Sequence, residues 1–296
     1  MKGIIALDID GTTTVPGQPI TQEVVSYLKN LTRDKWQLLF ITGRTLHGSQ
    51  ELLSDLPFPY FLAVQNGAII LDMPSKKIVS RKYLHKSIIP MMHEICDGEP
   101  TDFVIFAGCE RQDFSYYRPQ YFSDELRKYI NARAATFRET WRTVQSFDEL
   151  DFDEFPSVKC FGLHHPSLKV AQRIEKQLGL HVPVIRDPFN SEYFVVQATH
   201  SEVSKGHALR TLQELLSNDG VVIAAGDDYN DCTMLDAADI KVVMATAPAD
   251  MLMRADIVAP PAEQHGLIAG LNAAIVMAQS WPGRQDTQQL LKSLGD

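Results

Sequence analysis

The stretch Asp8-Ile9-Asp10-Gly11-Thr12-Thr13 sets two carboxylates two residues apart at the end of an apolar run. On an extended chain residues i and i+2 point to the same side, with Cα atoms about 6.6 Å apart at about 3.3 Å per residue. That spacing can bracket one phosphoryl group. One carboxylate can attack phosphorus in line while the other, protonated, delivers a proton to the leaving oxygen and then takes one from water. The same string can also be a strand-end turn in which Gly11 supplies an unusual backbone angle. These residues alone leave both readings open.

Three further sites could contribute. In Thr42-Gly43-Arg44, a hydroxyl and backbone N–H groups where a helix begins can hold a phosphate oxygen, although Thr42 could equally be an N-cap. Lys205, in Val203-Ser204-Lys205-Gly206-His207, opens a helix, where a cation opposes the macrodipole by a few tenths of a kcal/mol. An anionic partner would compensate for it. Gly226-Asp227-Asp228-Tyr229-Asn230-Asp231 carries more acid than helix capping requires. Gathered with Asp8 and Asp10, these carboxylates would repel one another unless a cation sat among them. Hard oxygen ligands specify Mg²⁺ better than Zn²⁺, for which there is no His/Cys cluster.

Positioning these groups requires strands that end where the motifs begin. Apolar runs without polar alternation predict buried parallel strands at Gly3–Ile9, Trp36–Ile41, Phe61–Gln65, Val221–Ala225, Lys241–Ala245 and Ile257–Ala259. Helical periodicity between them predicts helices near Thr21–Thr32, Thr45–Ser54, Asn230–Ala237 and Ala262–Met277. In an open parallel sheet, ligands bind beyond the carboxyl ends of the strands, which is where the motifs fall. From about Tyr83 to Asn190 the pattern changes to alternating strand candidates at Phe103–Ala107, Phe114–Tyr117, Val158–Leu163 and Val182–Arg186. With helices near Ser87–Cys96, Ser123–Ala135 and Ser167–Leu178, this reads as an α+β insertion with one solvated sheet face. A short helix could follow Trp281-Pro282-Gly283.

The chain has 296 residues, 45% of them apolar, and 28 Lys+Arg against 37 Asp+Glu give a net charge of −9. That sign disfavours nucleic acid and membrane surfaces as partners. A small anion is still acceptable wherever a local cation reverses the field. Asp8 interrupts the first apolar run too early for a signal peptide, which makes the cytoplasm the expected location. The longest uncharged apolar stretch, Gly266–Ala278, is short of the roughly 18–20 residues a membrane span needs. Cys96, Cys109, Cys160 and Cys232 lack metal or disulfide spacing and read as reduced thiols.

Taken in order, DxDGT, TGR, a lone Lys and GDxxND closely resemble the haloacid dehalogenase (HAD) superfamily. The insertion between the second and third motifs resembles subfamily IIB, the Cof-type phosphatases, as do Gln65-Asn66-Gly67-Ala68 and Ala255-Asp256. Val243-Met244-Ala245-Thr246-Ala247 departs from the usual Gly-Asn-Ala there. The resemblance implies an α/β fold: a Rossmann-like parallel-sheet HAD core of residues 1–82 and 191–296, with an inserted α+β cap of residues 83–190. It makes Asp8 the nucleophile forming an aspartyl-phosphate and Asp10 the general acid/base. Mg²⁺ would be held by the Asp8 carboxylate, the Asp10 carbonyl and Asp227, with Asp231 supporting the metal shell or Lys205. Ile9, Thr42, Gly43, Lys205 and Asn230 would contact the phosphate. Tyr117, Arg118, His164, His165, Arg186 and Tyr193 are the cap's candidates for reading the leaving group. The adjacent histidines, read as strand neighbours, would face opposite ways and hold no metal together.

The expected activity is Mg²⁺-dependent hydrolysis of a small phosphorylated metabolite, foremost a sugar phosphate, by a monomer or homodimer. A sugar phosphomutase, a specialised sucrose-phosphate or mannosylglycerate-phosphate phosphatase, and a non-catalytic binding module are the alternatives.

Overall fold

An apolar run with no polar alternation has to be covered on both faces, and Gly3–Asp8 is. In the computed structural model, which describes residues 2–53, 56–187 and 189–280, this segment is β1 and every residue of it is buried. Ile5 and Leu7 enter one core cluster with Leu38 and Phe40, while Ile4 and Ala6 enter another with Leu39 and Ile41. Helix α1 (Gln22–Arg33), N-capped by Thr21, covers the first face with Val24, Val25, Leu28 and Leu31. Strand β2 (Trp36–Ile41) pairs parallel with β1; helix α2 (Leu46–Leu53) leads to β3 (Tyr60–Val64), parallel to β2. Then comes a hairpin that the sequence reading omits: β4 (Ile69–Met73) and β5 (Lys77–Arg81) extend the sheet antiparallel at its edge.

The middle of the chain builds its own sheet. Its elements are β6 (Leu84–His85), α3 (Ile89–Cys96), β7 (Phe103–Phe106), β8 (Ser115–Tyr117), α4 (Asp124–Thr136), β9 (Trp141–Thr143), β10 (Glu154–Phe155), β11 (Ser157–Leu163), α5 (His164–Leu178), β12 (Val184–Arg186) and β13 (Tyr193–Ala198). Six of them form the cap sheet in the order β12-β13-β11-β7-β8-β9, and β6 pairs with β10 apart from it. Three expectations change. Tyr193–Ala198 pairs with β11 and β12, so the boundary drawn at residue 190 moves beyond Ala198. The second sheet face is not solvated: Val104, Phe106 and Phe161 are buried there with Leu126, Tyr129 and Ile130 of α4. Finally, His164 and His165 open α5 rather than continue a strand.

The chain then completes the first sheet with α6 (Lys205–Leu215), β14 (Val221–Gly226), α7 (Cys232–Asp236), β15 (Ile240–Met244), α8 (Ala249–Leu252), β16 (Ile257–Ala259) and α9 (Gly266–Gln279). The eight-stranded order is β16-β15-β14-β1-β2-β3-β4-β5, with β1 between β14 and β2 and parallel to both. Strand order reverses at β1/β14, the crevice where open α/β sheets bind ligands. Helix α9 starts later than the periodicity suggests because His265 takes a left-handed backbone conformation (φ 54°). Among the described residues no helix is long and apolar enough to cross a membrane, and the four cysteines are free. The helix expected after Trp281-Pro282-Gly283 lies outside the described residues.

Candidate active site

The reversal brings the acidic motifs together. Asp8 ends β1, Asp227 follows the last residue of the adjacent β14, and the turn into α7 returns Asp231 beside them. One carboxylate oxygen from each of Asp8, Asp227 and Asp231 lies within 4.8 Å of the others. Lys205 enters from the first residue of α6, whose start is fixed by Ser204 Oγ accepting from His207 N (3.1 Å). Its Nζ donates to Asp231 Oδ1 at 2.6 Å and also to Asp8 Oδ1. The other Asp231 oxygen accepts the N–H groups of Asp227 (2.9 Å) and Asp228 (3.1 Å), so Asp231 is clamped on both sides. Asp228 turns away and accepts from Tyr229 N as an N-cap.

Thr12 Oγ1 donates to Asp227 Oδ1 at 2.9 Å across the two strand ends. Gly11 makes that approach possible: its φ is +82°, and a Cβ there would lie 2.2 Å from Asp227 Oδ2. We expect Gly11→Ala to displace Asp227 and to cost about 1–3 kcal/mol through backbone strain and overpacking. Thermal unfolding and turnover, measured on the same preparation, should both fall; a variant unchanged in both would show that the turn has other room.

Electrostatics define what the cluster lacks. Burial, and then the charge of Asp231, push the Asp8 carboxyl well above the usual carboxylate range. The same two causes push Asp227 up to about 7, with the Thr12 hydrogen bond opposing them. For Lys205, burial opposes the charge, but the carboxylates of Asp231 and Asp8 outweigh it and hold the ammonium above its ordinary range. With all three carboxylates ionised, one ammonium leaves two negative charges unbalanced, and the donor atoms are all oxygen. A hard divalent cation satisfies both conditions.

Asp10 stands outside that cluster. Its carboxylate receives a bidentate grip from Arg44, Nε to Oδ2 at 2.6 Å and Nη2 to Oδ1 at 2.7 Å. Any metal contact from Asp10 therefore falls to its carbonyl. The guanidinium of Arg44 in turn lies 4.5 Å from the ring centre of Phe137, a residue of the cap. Asp8, Asp10, Thr42, Gly43, Arg44 and Asn230 line one side of a pocket whose other side is cap: Arg133, Phe137, Glu139, Lys159, Ile185, Val195 and Gln197.

Residues 5–271 match the haloacid dehalogenase-like hydrolases. The chain belongs to that family. Phosphatase YwpJ of Bacillus subtilis is 24% identical over 89% of this hydrolase and 96% of its own length. The pyridoxal phosphate phosphatase YbhA of Escherichia coli is 25% identical over 86% of this chain and 92% of its own. In fold, the HAD subclass IIB sugar phosphatase BT4131 superposes with a TM-score of 0.68 at 18% identity, covering 91% of this chain and 98% of that one.

Within this hydrolase, the motif residues behave unequally. Asp8, Asp10, Thr42, Gly43 and Asn230 reach the pocket, Lys205 bonds Asp8, and Asp227 and Asp231 lie beside it as like charges. Thr45 rather than Thr42 caps α2, accepting from Gly48 N at 3.2 Å. Ile9 buries its side chain in the core and its carbonyl accepts from Thr13 N and Thr14 N, which leaves only its N–H for a phosphate. None of the six cap candidates lines this pocket. Arg118 pairs with Asp102 (2.8 and 2.9 Å) on another side of the cap, and Tyr117 packs among aromatic rings. His164 lies against Phe194, Tyr193 stacks on Tyr129, and His165 and Arg186 are exposed. The cap residues that do face the pocket were missed, although Lys159 carried a signal: it is a lone charge inside the apolar run Val158–Leu163.

Proposed function

We propose that this hydrolase is a Mg²⁺-dependent phosphatase acting on a small phosphorylated metabolite of the sugar phosphate class, through an aspartyl-phosphate on Asp8. The observation that carries the reading is the convergence of Asp8, Asp227 and Asp231, with Lys205 bonded to Asp8 and Asp231 and with Asp10 lining the same pocket as Asp8. Asp8 forms a bond to phosphorus as the ester oxygen leaves, and Asp10 gives that oxygen its proton. Asp10 then takes a proton from the water that releases phosphate from Asp8. Arg44 holds both Asp10 oxygens in this structure, so one of the two contacts has to open for Asp10 to carry the proton it gives, while Lys205 fixes Asp8 and neutralises part of its charge. Bound through Asp8, Asp227 and the Asp10 carbonyl, Mg²⁺ would supply charge neutralisation for the phosphate oxygens. The relatives support the class, since their names include a phosphatase and a pyridoxal phosphate phosphatase, and a structural neighbour is a sugar phosphatase.

The test is release of inorganic phosphate from p-nitrophenyl phosphate and from hexose phosphates by chelator-treated protein. We expect activity only after Mg²⁺ is returned. Equal rates with and without the cation would reject the metal-assisted reading, and isomerised sugar phosphate as the main product would reject hydrolysis.

A further inference from the structure

The cap places one charged side chain in the pocket whose hydrogen-bonding capacity is mostly unused. Lys159 of β11 is buried, and among the described residues its one hydrogen bond is from Nζ to the carbonyl oxygen of Gly43, at 3.1 Å. Nζ also lies 4.3 Å from the ring centre of Phe106. An ammonium has three donors, so two remain, and burial without enough partners pulls its pKa down to about 7. A buried donor in that condition is stabilised by any acceptor that reaches it.

The neighbouring charges are already committed. Arg133 donates to Asp187 (2.7 Å) and Glu139 (3.1 Å), and Glu139 also accepts from Trp141 Nε1 (2.9 Å). With Lys159 protonated, the cap wall balances two cations against two carboxylates. That wall leaves no surplus cation for a second anionic group on a ligand. The rest of the cap side is Phe137, Ile185 and Val195, with the amide of Gln197. That arrangement suits a neutral group with one apolar face and polar edges. The position matters as well: Lys159 bonds to the loop that holds Thr42 and Gly43, so it sits close to where the ester oxygen would be.

We propose that Lys159 is the cap's specificity-determining residue, donating a hydrogen bond to a hydroxyl or ring oxygen of a neutral, hydroxylated leaving group. The inference rests on the phosphatase reading above and narrows its substrates to monophosphates of uncharged polyhydroxy alcohols, as against phosphorylated acids.

The experiment compares kcat/KM of wild type, Lys159→Met and Lys159→Gln on a hexose phosphate, a phosphoglycerate and p-nitrophenyl phosphate, with thermal melts confirming folding. Methionine matches the apolar surroundings, and glutamine keeps a donor. Wild type should prefer the hexose phosphate to the phosphoglycerate. Lys159→Met should lose about 10- to 100-fold on the hexose phosphate, the value of one charged hydrogen bond, and less than about 3-fold on the aryl ester, with Lys159→Gln between. Equal losses on both esters, no loss on either, or a wild-type preference for the phosphoglycerate would overturn the proposal while leaving the phosphatase intact. Wild type inactive on all three esters would overturn the phosphatase reading and this inference with it.

Discussion

Asp8→Asn removes turnover, lowering kcat on any phosphate ester by on the order of 10⁴-fold or more, as expected when a covalent nucleophile is replaced. The loss should come without unfolding. Asparagine keeps the shape and an oxygen that can accept from Lys205, and it removes a carboxylate whose charge is opposed by burial and by Asp231. The melting temperature of Asp8→Asn should therefore equal or exceed that of wild type. Phosphate release and thermal melts on matched samples decide the matter. Retention of more than a hundredth of wild-type activity would put the nucleophile elsewhere.

Lys205→Met has the largest expected effect on stability. The ammonium is the shared partner of Asp8 and Asp231, all three being buried, and removing one side of such a set costs about 3–5 kcal/mol. At about 2–4 °C per kcal/mol for a large domain, the metal-free melting temperature should fall by roughly 10 °C. Mg²⁺ should restore more stability to this variant than to wild type, because the carboxylates have lost their internal counter-charge. Activity should stay low even with saturating cation, since Asp8 is no longer held. A melt in which Mg²⁺ shifts both proteins equally would contradict this account of the charge balance.

The core was legible because its information is local. An uninterrupted apolar run such as Gly3–Leu7 specifies a strand covered on both faces, and each acidic motif follows such a run directly. Pairing is not local. Tyr193–Ala198 has the same apolar character as the core strands, and only its partners, Ser157–Leu163 and Val184–Arg186, assign it to the cap. The hairpin Ile69–Arg81 was hidden for a related reason: its outer strand is mostly half-exposed, carries Lys77 and Arg81, and has a weak apolar signal. The core side of the pocket comes mainly from turns at strand ends, which motifs mark. Its cap side is assembled from α4, β11, β12, β13 and the segment around Glu139, so no single stretch of sequence announces it. Of the cap's aromatic candidates, Tyr117 and Tyr193 serve its packing.

The split between β1 and β14 also sets a timetable. Asp8 and Lys205 are 197 residues apart, which at about 5–20 residues per second is roughly 10–40 s of ribosome time. From the emergence of β2 until β14 is made, β1, destined for the middle of the sheet, has β2 on one side and an open edge on the other. An exposed apolar strand edge is a template for misassociation. The cap sheet, whose strands all lie within the insertion, can close on itself in the meantime. A nascent chain stalled before Val221 should thus expose a sticky half-sheet beside a finished cap, and chaperone dependence should concentrate in that window.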